Sequence, residues 1–264
     1  MNETRGLAVV TGASSGIGFE LAKRFTENGF DLLICAEDQE LDTAAERLRA
    51  MGDGDVIALR ADLSDSGGVE RLYDAIASTG RPVDAAALNA GVGQGGAFID
   101  NDLADELQVI DLNVTSTVRL AKRLLPGMVE RGAGRVLITS SIAATMPGSF
   151  QAVYNASKSF LQSFAAAVGN EIKGTGVTVT SLMPGPTETE FFQRAEMGDT
   201  RLGQSDKDDP AQVAEEGFAA LMRGSDKVVA GSAQTKAQEA ANKVLPDSGK
   251  AEVHRRMAEP GSGE

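Results

Sequence analysis

The chain has 264 residues, of which 38 are Asp or Glu and 25 are Lys or Arg, giving a formal net charge of −13. That length suits one large core, and so acidic a surface repels nucleic-acid backbones and anionic membranes. The single cysteine, Cys35, and single histidine, His254, exclude an internal disulfide, a Cys/His zinc cluster and two-histidine metal sites, so no metal is expected. His254 stands near the end of the chain among arginines and reads as a solvated tail residue, which sets histidine-based triads aside. The opening MNETRGLAVV lacks the pattern of a signal peptide, and no apolar run reaches the roughly 18 residues of a membrane span. A cytoplasmic protein with neither nucleic-acid nor membrane partners is expected.

In chain order, LAVVTG (7–12) reads as a buried strand that leads through a glycine turn into a helix. That helix is marked by Ile17, Leu21 and Phe25 and stopped by Asn28-Gly29. DLLICA (31–36) is the second strand, followed by a helix over 40–50, and VIALRAD (56–62) the third, followed by a helix over 66–78. VDAAALNAG (83–91) precedes a helix over 102–130, and RVLITSS (135–141) precedes one over 150–173. After the strand VTVTSLMPG (177–185), residues 187–209 are polar and without a period, as in a substrate lid. A helix over 210–223, with Asp209 as N-cap and Pro210 in its first turn, then leads to a last strand, KVVAG (227–231). Residues 1–246 are expected to form one domain, with 247–264 a tail that frays.

Strands that are apolar throughout suit a parallel sheet covered on both faces, and the repeated strand-helix order predicts a doubly wound α/β fold of about seven strands. Ligands of such sheets sit at the carboxyl ends of the strands. There the turn TGASSGIG places Gly12, Gly16 and Gly18, with Ser14, Ser15 and Ile17 between them, before a helix N-terminus. Glycines allow a tight turn and let backbone amides approach a pyrophosphate, which the helix end then stabilises. The spacing lacks the lysine of an ATP-type phosphate loop, so phosphoryl transfer is not indicated. Tyr154 and Lys158 lie four apart and share one helix face, where an ammonium can stabilise a phenolate. In a chain with so little histidine this pair is the candidate acid/base.

TGASSGIG, NAG at 89–91, YNASK at 154–158 and PGPTET at 184–189 occur in one order over residues 6–231, and together they resemble the short-chain dehydrogenase/reductase family. The resemblance implies a Rossmann-type sheet and hydride transfer between a nicotinamide cofactor and a secondary alcohol or ketone. It implies Tyr154 as general acid/base and Lys158 as its cation and ribose ligand. Ser141, thirteen residues before Tyr154, would donate to the substrate oxygen, with Ser140 as a one-residue alternative. Asn113 would serve a proton relay. For the cofactor it implies Asp62 and Leu63 at the adenine, Asn89, Ala90 and Gly91 along the ribose, and Pro184, Gly185, Thr187 and Thr189 at the carboxamide and diphosphate.

At the end of the second strand, Glu37 and Asp38 can accept from ribose hydroxyls and would repel a 2′-phosphate, which favours NAD, with NADP as the alternative. Gln94, Ser141, Pro147 and Phe191 stand in the three segments expected to meet a neutral or modestly hydrophobic substrate. Relatives use the 102–130 and 150–173 helices to dimerise, so a homodimer is expected, while the added helix in SAQTKAQEAANKVLP puts a tetramer in doubt. The rival reading is a catalytically silent dinucleotide sensor on the same fold.

Overall fold

The computed structural model describes residues 5–263. Its centre is a sheet of β1 (Leu7–Thr11), β2 (Asp31–Ala36), β3 (Val56–Arg60), β4 (Val83–Leu88), β5 (Gly134–Thr139), β6 (Val177–Pro184) and β7 (Lys227–Ala230). All neighbours are parallel, in the order β3-β2-β1-β4-β5-β6-β7. The strands are therefore those the apolar runs predict. The five inner strands are buried almost throughout because both faces are covered: in β1, Ala8 and Val10 face one core while Leu7 and Val9 face the other.

The first core lies under α1 (Gly16–Glu27), α2 (Glu40–Arg49) and α9 (Pro210–Arg223), and the second under α3 (Ser66–Ser78), α5 (Ser116–Arg131) and α6 (Ala152–Glu171). Phe25 of α1 is fully buried, with edge-on contacts to Phe30 and Phe218 at 5.2 and 5.1 Å between ring centres. Asp209 caps α9 by accepting from Ala211 N at 2.8 Å, with Pro210 following it. The order of the sheet reverses between β1 and β4, so their carboxyl ends splay helices to opposite sides and leave a crevice.

The structure departs from the sequence reading in three places. The helix expected over 102–130 is α4 (Leu103–Ile110) and α5, joined by a single π-helical turn at Asp111–Thr115. The lid forms two short helices, α7 (Phe191–Arg194) and α8 (Arg201–Gln204). Its ends are pinned by a bridge between Thr187 and Asp208, whose carboxylate accepts from Ser232 N and Thr235 Oγ1 at the start of α10 (Ala233–Asn242). The expected frayed tail is instead helix α11 (Asp247–Ala258). Among the described residues no helix is long and apolar enough to cross a membrane.

Candidate active site

One crevice runs across the carboxyl ends of the strands from the glycine turn to α6. At the turn, Gly12 and Gly16 have φ of +65° and +53°, a region that disfavours side chains. A Cβ on Gly18 would overlap the Gly12 carbonyl oxygen. Ser15, the N-cap of α1, makes no side-chain cap bond, so the first-turn amides depend on other acceptors. A cradle stripped of side chains before a helix N-terminus fits a dinucleotide pyrophosphate.

The exits of β1, β4 and β5 are tied together. Asn89 and Ala90 donate their N–H groups to Thr11 Oγ1 at 2.9 and 3.0 Å, while Asn89 Oδ1 accepts from Thr139 Oγ1 at 3.0 Å. Asn113 reaches the next residues because the π turn rotates it out of a regular helical register. Its amide donates to Val92 O and Ser157 Oγ and accepts from Val92 N, all at 2.9 Å, with the residue fully buried. Both amide hydrogens are thus committed to protein, and the side chain clamps the β4 exit to α6.

Tyr154, Lys158 and Ser141 converge on the same crevice. Burial pushes the Tyr154 phenol up to about 12, with the adjacent Ser141 hydroxyl pulling it down. Burial lowers the Lys158 ammonium to about 8. Its Nζ lies 5.7 Å from the Tyr154 ring centre and donates to Thr139 O at 3.0 Å. Burial thus acts on the phenol in the direction opposite to the lowering expected from Lys158, whose ammonium spends a hydrogen bond on a carbonyl. The adjacent serines differ in direction: Ser140 Oγ donates to Lys158 O at 2.8 Å, whereas Ser141 lies by the phenol and accepts from Ala143 N at 3.0 Å.

All the residues expected at the cofactor line this crevice, from the glycine turn through Glu37, Asp62, Leu63, Asn89, Ala90 and Gly91 to Pro184, Gly185, Thr187 and Thr189. Of the expected substrate residues, Ser141 and Phe191 line it, the Phe191 ring lying 5.1 Å from that of Tyr154. Gln94 and Pro147 do not. Gln94 turns its amide to Gly95 O at 3.1 Å, and Pro147 is exposed beside a separate groove near α11. The sequence reading missed Gln151, Arg194, Gln238 and His254, all of which line the crevice. His254 is only 5% exposed and bonds Ser149 O through Nδ1 at 2.9 Å, so it is not a solvated tail residue. A basic residue in the lid was the available signal for Arg194; nothing local signals His254.

The description "short chain dehydrogenase" matches residues 6–199. The chain belongs to the short-chain dehydrogenase/reductase family. A Streptomyces coelicolor protein named "Putative ketoacyl reductase" is 38% identical over 69% of this chain and 71% of its own. A short-chain dehydrogenase from Sphingobium yanoikuyae, solved in complex with NADPH, is 27% identical with a TM-score of 0.78, covering 90% of this chain and 94% of its own. An actinorhodin polyketide ketoreductase variant, solved with NADPH, is 29% identical with a TM-score of 0.73, over 85% and 95% of the two chains. With the family's serine, tyrosine and lysine in one crevice and its asparagine, Asn113, buried outside the lining but bonded to Ser157 of α6, this dehydrogenase/reductase is an NAD(P)-dependent oxidoreductase that transfers hydride between a nicotinamide and a secondary alcohol or ketone.

The expectation of NAD is overturned, since both of these solved relatives hold NADPH. The structure supplies a physical reason why the acids after β2 mislead. Asp38 Oδ2 already accepts from Ser14 Oγ at 2.9 Å and has Arg194 Nη2 at 3.8 Å, so a cation from the lid stands at the acidic corner. Burial and the neighbouring Asp62 raise Glu37 above the ordinary carboxylate range, which disfavours its charge.

Proposed function

We propose that this protein uses NADPH to reduce a ketone to a secondary alcohol. The observation that carries the reading is the convergence of Tyr154, a buried phenol, with Ser141, Lys158 and the glycine cradle in one crevice, beside the corner where Ser14 and Arg194 meet Asp38. Such a phenol stays protonated at neutral pH and suits the acid that reduction requires. Gly12, Gly16, Ile17 and Gly18 would hold the pyrophosphate, Asp62 and Leu63 the adenine, and Asn89, Ala90, Gly91 and Lys158 the ribose nearer the reaction. Pro184, Gly185, Thr187 and Thr189 would border the carboxamide. Ser14 and Arg194, which meet at Asp38, are the donor and cation available to a 2′-phosphate.

When bound, the cofactor supplies the hydride. Ser141 donates a hydrogen bond to the ketone oxygen and aligns it with the Tyr154 hydroxyl. Tyr154 gives its proton to that oxygen as it becomes an alkoxide, and the Lys158 charge limits the cost of the phenolate left behind. Asn113 positions the β4 exit and, through Ser157, the turn of α6 that carries Tyr154.

In this reading α11 joins residues 1–246 in the catalytic unit, since its His254 lines the crevice; the lid is at 187–209, and the protein works in the cytoplasm as a homodimer. Leu103, Leu107 and Ile110 of α4 are 66%, 47% and 39% exposed along one helix face, and Phe160 of α6 is also exposed, which supports that assembly. Loss of reduced-nicotinamide absorbance with a panel of ketones tests the reaction. Tyr154→Phe should remove turnover by about a thousandfold while retaining NADPH binding, and Arg194→Ala should weaken NADPH more than NADH. A Tyr154→Phe protein with most of its activity would refute the assignment.

A further inference from the structure

At the substrate end of the crevice, opposite the glycine turn, one buried polar side chain lacks the partner its chemistry requires and a second presents an unbonded ring nitrogen. Gln151, one turn before Tyr154 and 3% exposed, has a buried amide nitrogen that donates to nothing among the described residues. An orphaned buried donor is costly and calls for an acceptor from elsewhere. His254, carried in by α11, also lines the crevice. Its Nδ1 faces the Ser149 carbonyl, which can only accept, so the ring proton sits on Nδ1 and Nε2 is left as a bare acceptor. Burial keeps the imidazole neutral by lowering its pKa. Gln238 of α10 lines the same crevice. Both helices lie beyond residues 6–199, the part of the chain that carries the family pattern.

A donor on one side and an acceptor on the other match a group that both accepts and donates. We propose that Gln151 and His254 form a subsite for a hydroxyl on the substrate, remote from the reacting carbonyl, so that the preferred substrates are hydroxyketones. This rests on the ketone-reducing reading above. Gln151 Nε2 donates to the hydroxyl oxygen, and the hydroxyl donates to His254 Nε2. α11 is thereby a specificity element: it closes the substrate end of the crevice with a side chain chosen for hydrogen bonding, in a wall otherwise made by Met146, Phe191, Phe192 and Leu202.

The test is NADPH-driven reduction of three matched pairs: hydroxyacetone against acetone, diacetone alcohol against methyl isobutyl ketone, and acetopropyl alcohol against methyl propyl ketone. They place the hydroxyl on the α, β and γ carbons. The wild-type protein should prefer the hydroxylated member of at least one pair by about tenfold or more in kcat/KM, since a site built to bond a hydroxyl rejects the analogue without it. His254→Asn keeps an amide donor at the position of Nδ1, and so the bond to Ser149, but removes the acceptor at Nε2. It should collapse that preference, chiefly through KM, and His254→Gln should restore part of it. Gln151→Met should lower the preference independently, which covers the case of a His254 variant that does not fold. Reduction of ketones without preference in any pair would overturn the subsite alone. So would a His254→Asn protein that loses both members of a pair in step. Failure to reduce any ketone, with NADPH bound, would overturn the ketone-reducing reading together with the subsite.

Discussion

Lys158 shows at the residue scale how the site trades stability for chemistry. It is 5% exposed, and burial lowers its pKa to about 8 from an ordinary 10.5. The unfolded chain therefore binds a proton between about pH 8 and 10.5 that the folded chain has released, so this residue makes the fold more stable as pH rises through that window. At neutral pH the buried charge works against folding. Lys158→Met should stabilise the protein by roughly 1–3 kcal/mol at pH 7, less what the lost bond to Thr139 contributed, while removing turnover. The gain should shrink above about pH 8, as urea titrations at several pH values would show. Ketone reduction by the wild type should fall over the same range, because Lys158 loses its charge while Tyr154, near 12, still holds its proton. The tyrosine and lysine were legible because their partnership is local, four residues on one helix. His254 and Arg194 were not: His254 is buried by a contact with Ser149, 105 positions away, and Arg194 meets Asp38 across the mouth of the crevice.

At the scale of elements, the turn between β1 and α1 carries its function in what it omits. Helix propensity alone would favour alanine over Gly18 by about 1 kcal/mol. The Cβ would however overlap the Gly12 carbonyl oxygen and press on the Asn89 side chain, both fixed by the network at the strand exits. Gly18→Ala should therefore cost roughly 2–4 kcal/mol in stability and weaken NADPH binding, measurable by denaturant unfolding and by the fluorescence of the bound cofactor. Elements with a clean period were legible, among them α1, α3 and α9, whose boundaries agree closely with the pattern. The π turn at Asp111–Thr115 was not, since one extra residue per turn leaves the apolar stripe readable as continuous. Nor was α11, whose apolar content is too low for a stripe; it is held by side chains reaching back to the loop before α6, with Lys250 bonding Thr145 O and His254 bonding Ser149 O.

For the whole molecule, the strand-helix alternation was enough to predict the doubly wound sheet, because a parallel sheet needs helical crossovers and both faces covered. The arrangement of the surface was not legible in the same way, since charge and apolar patches combine residues far apart in sequence. Two copies docking through Leu103, Leu107, Ile110 and Phe160 would cover the half or so of each side chain that is still exposed, worth about 1 kcal/mol each before the cost of association. Each copy also brings a net charge of −13, which opposes the approach of the other. The apolar face sets the sign and the charge sets the salt dependence: screening at about 0.15 M salt confines repulsion to about 8 Å. Sedimentation should show a dimer that tightens from low to moderate salt, the reverse of an interface held by opposite charges. Leu107→Asp should shift the sedimenting species to a single chain by burying an unpaired carboxylate in the seam, with the fold retained because the side chain is already 47% exposed in the monomer. A dimer that survives this substitution, or that weakens as salt is added, would place the interface elsewhere.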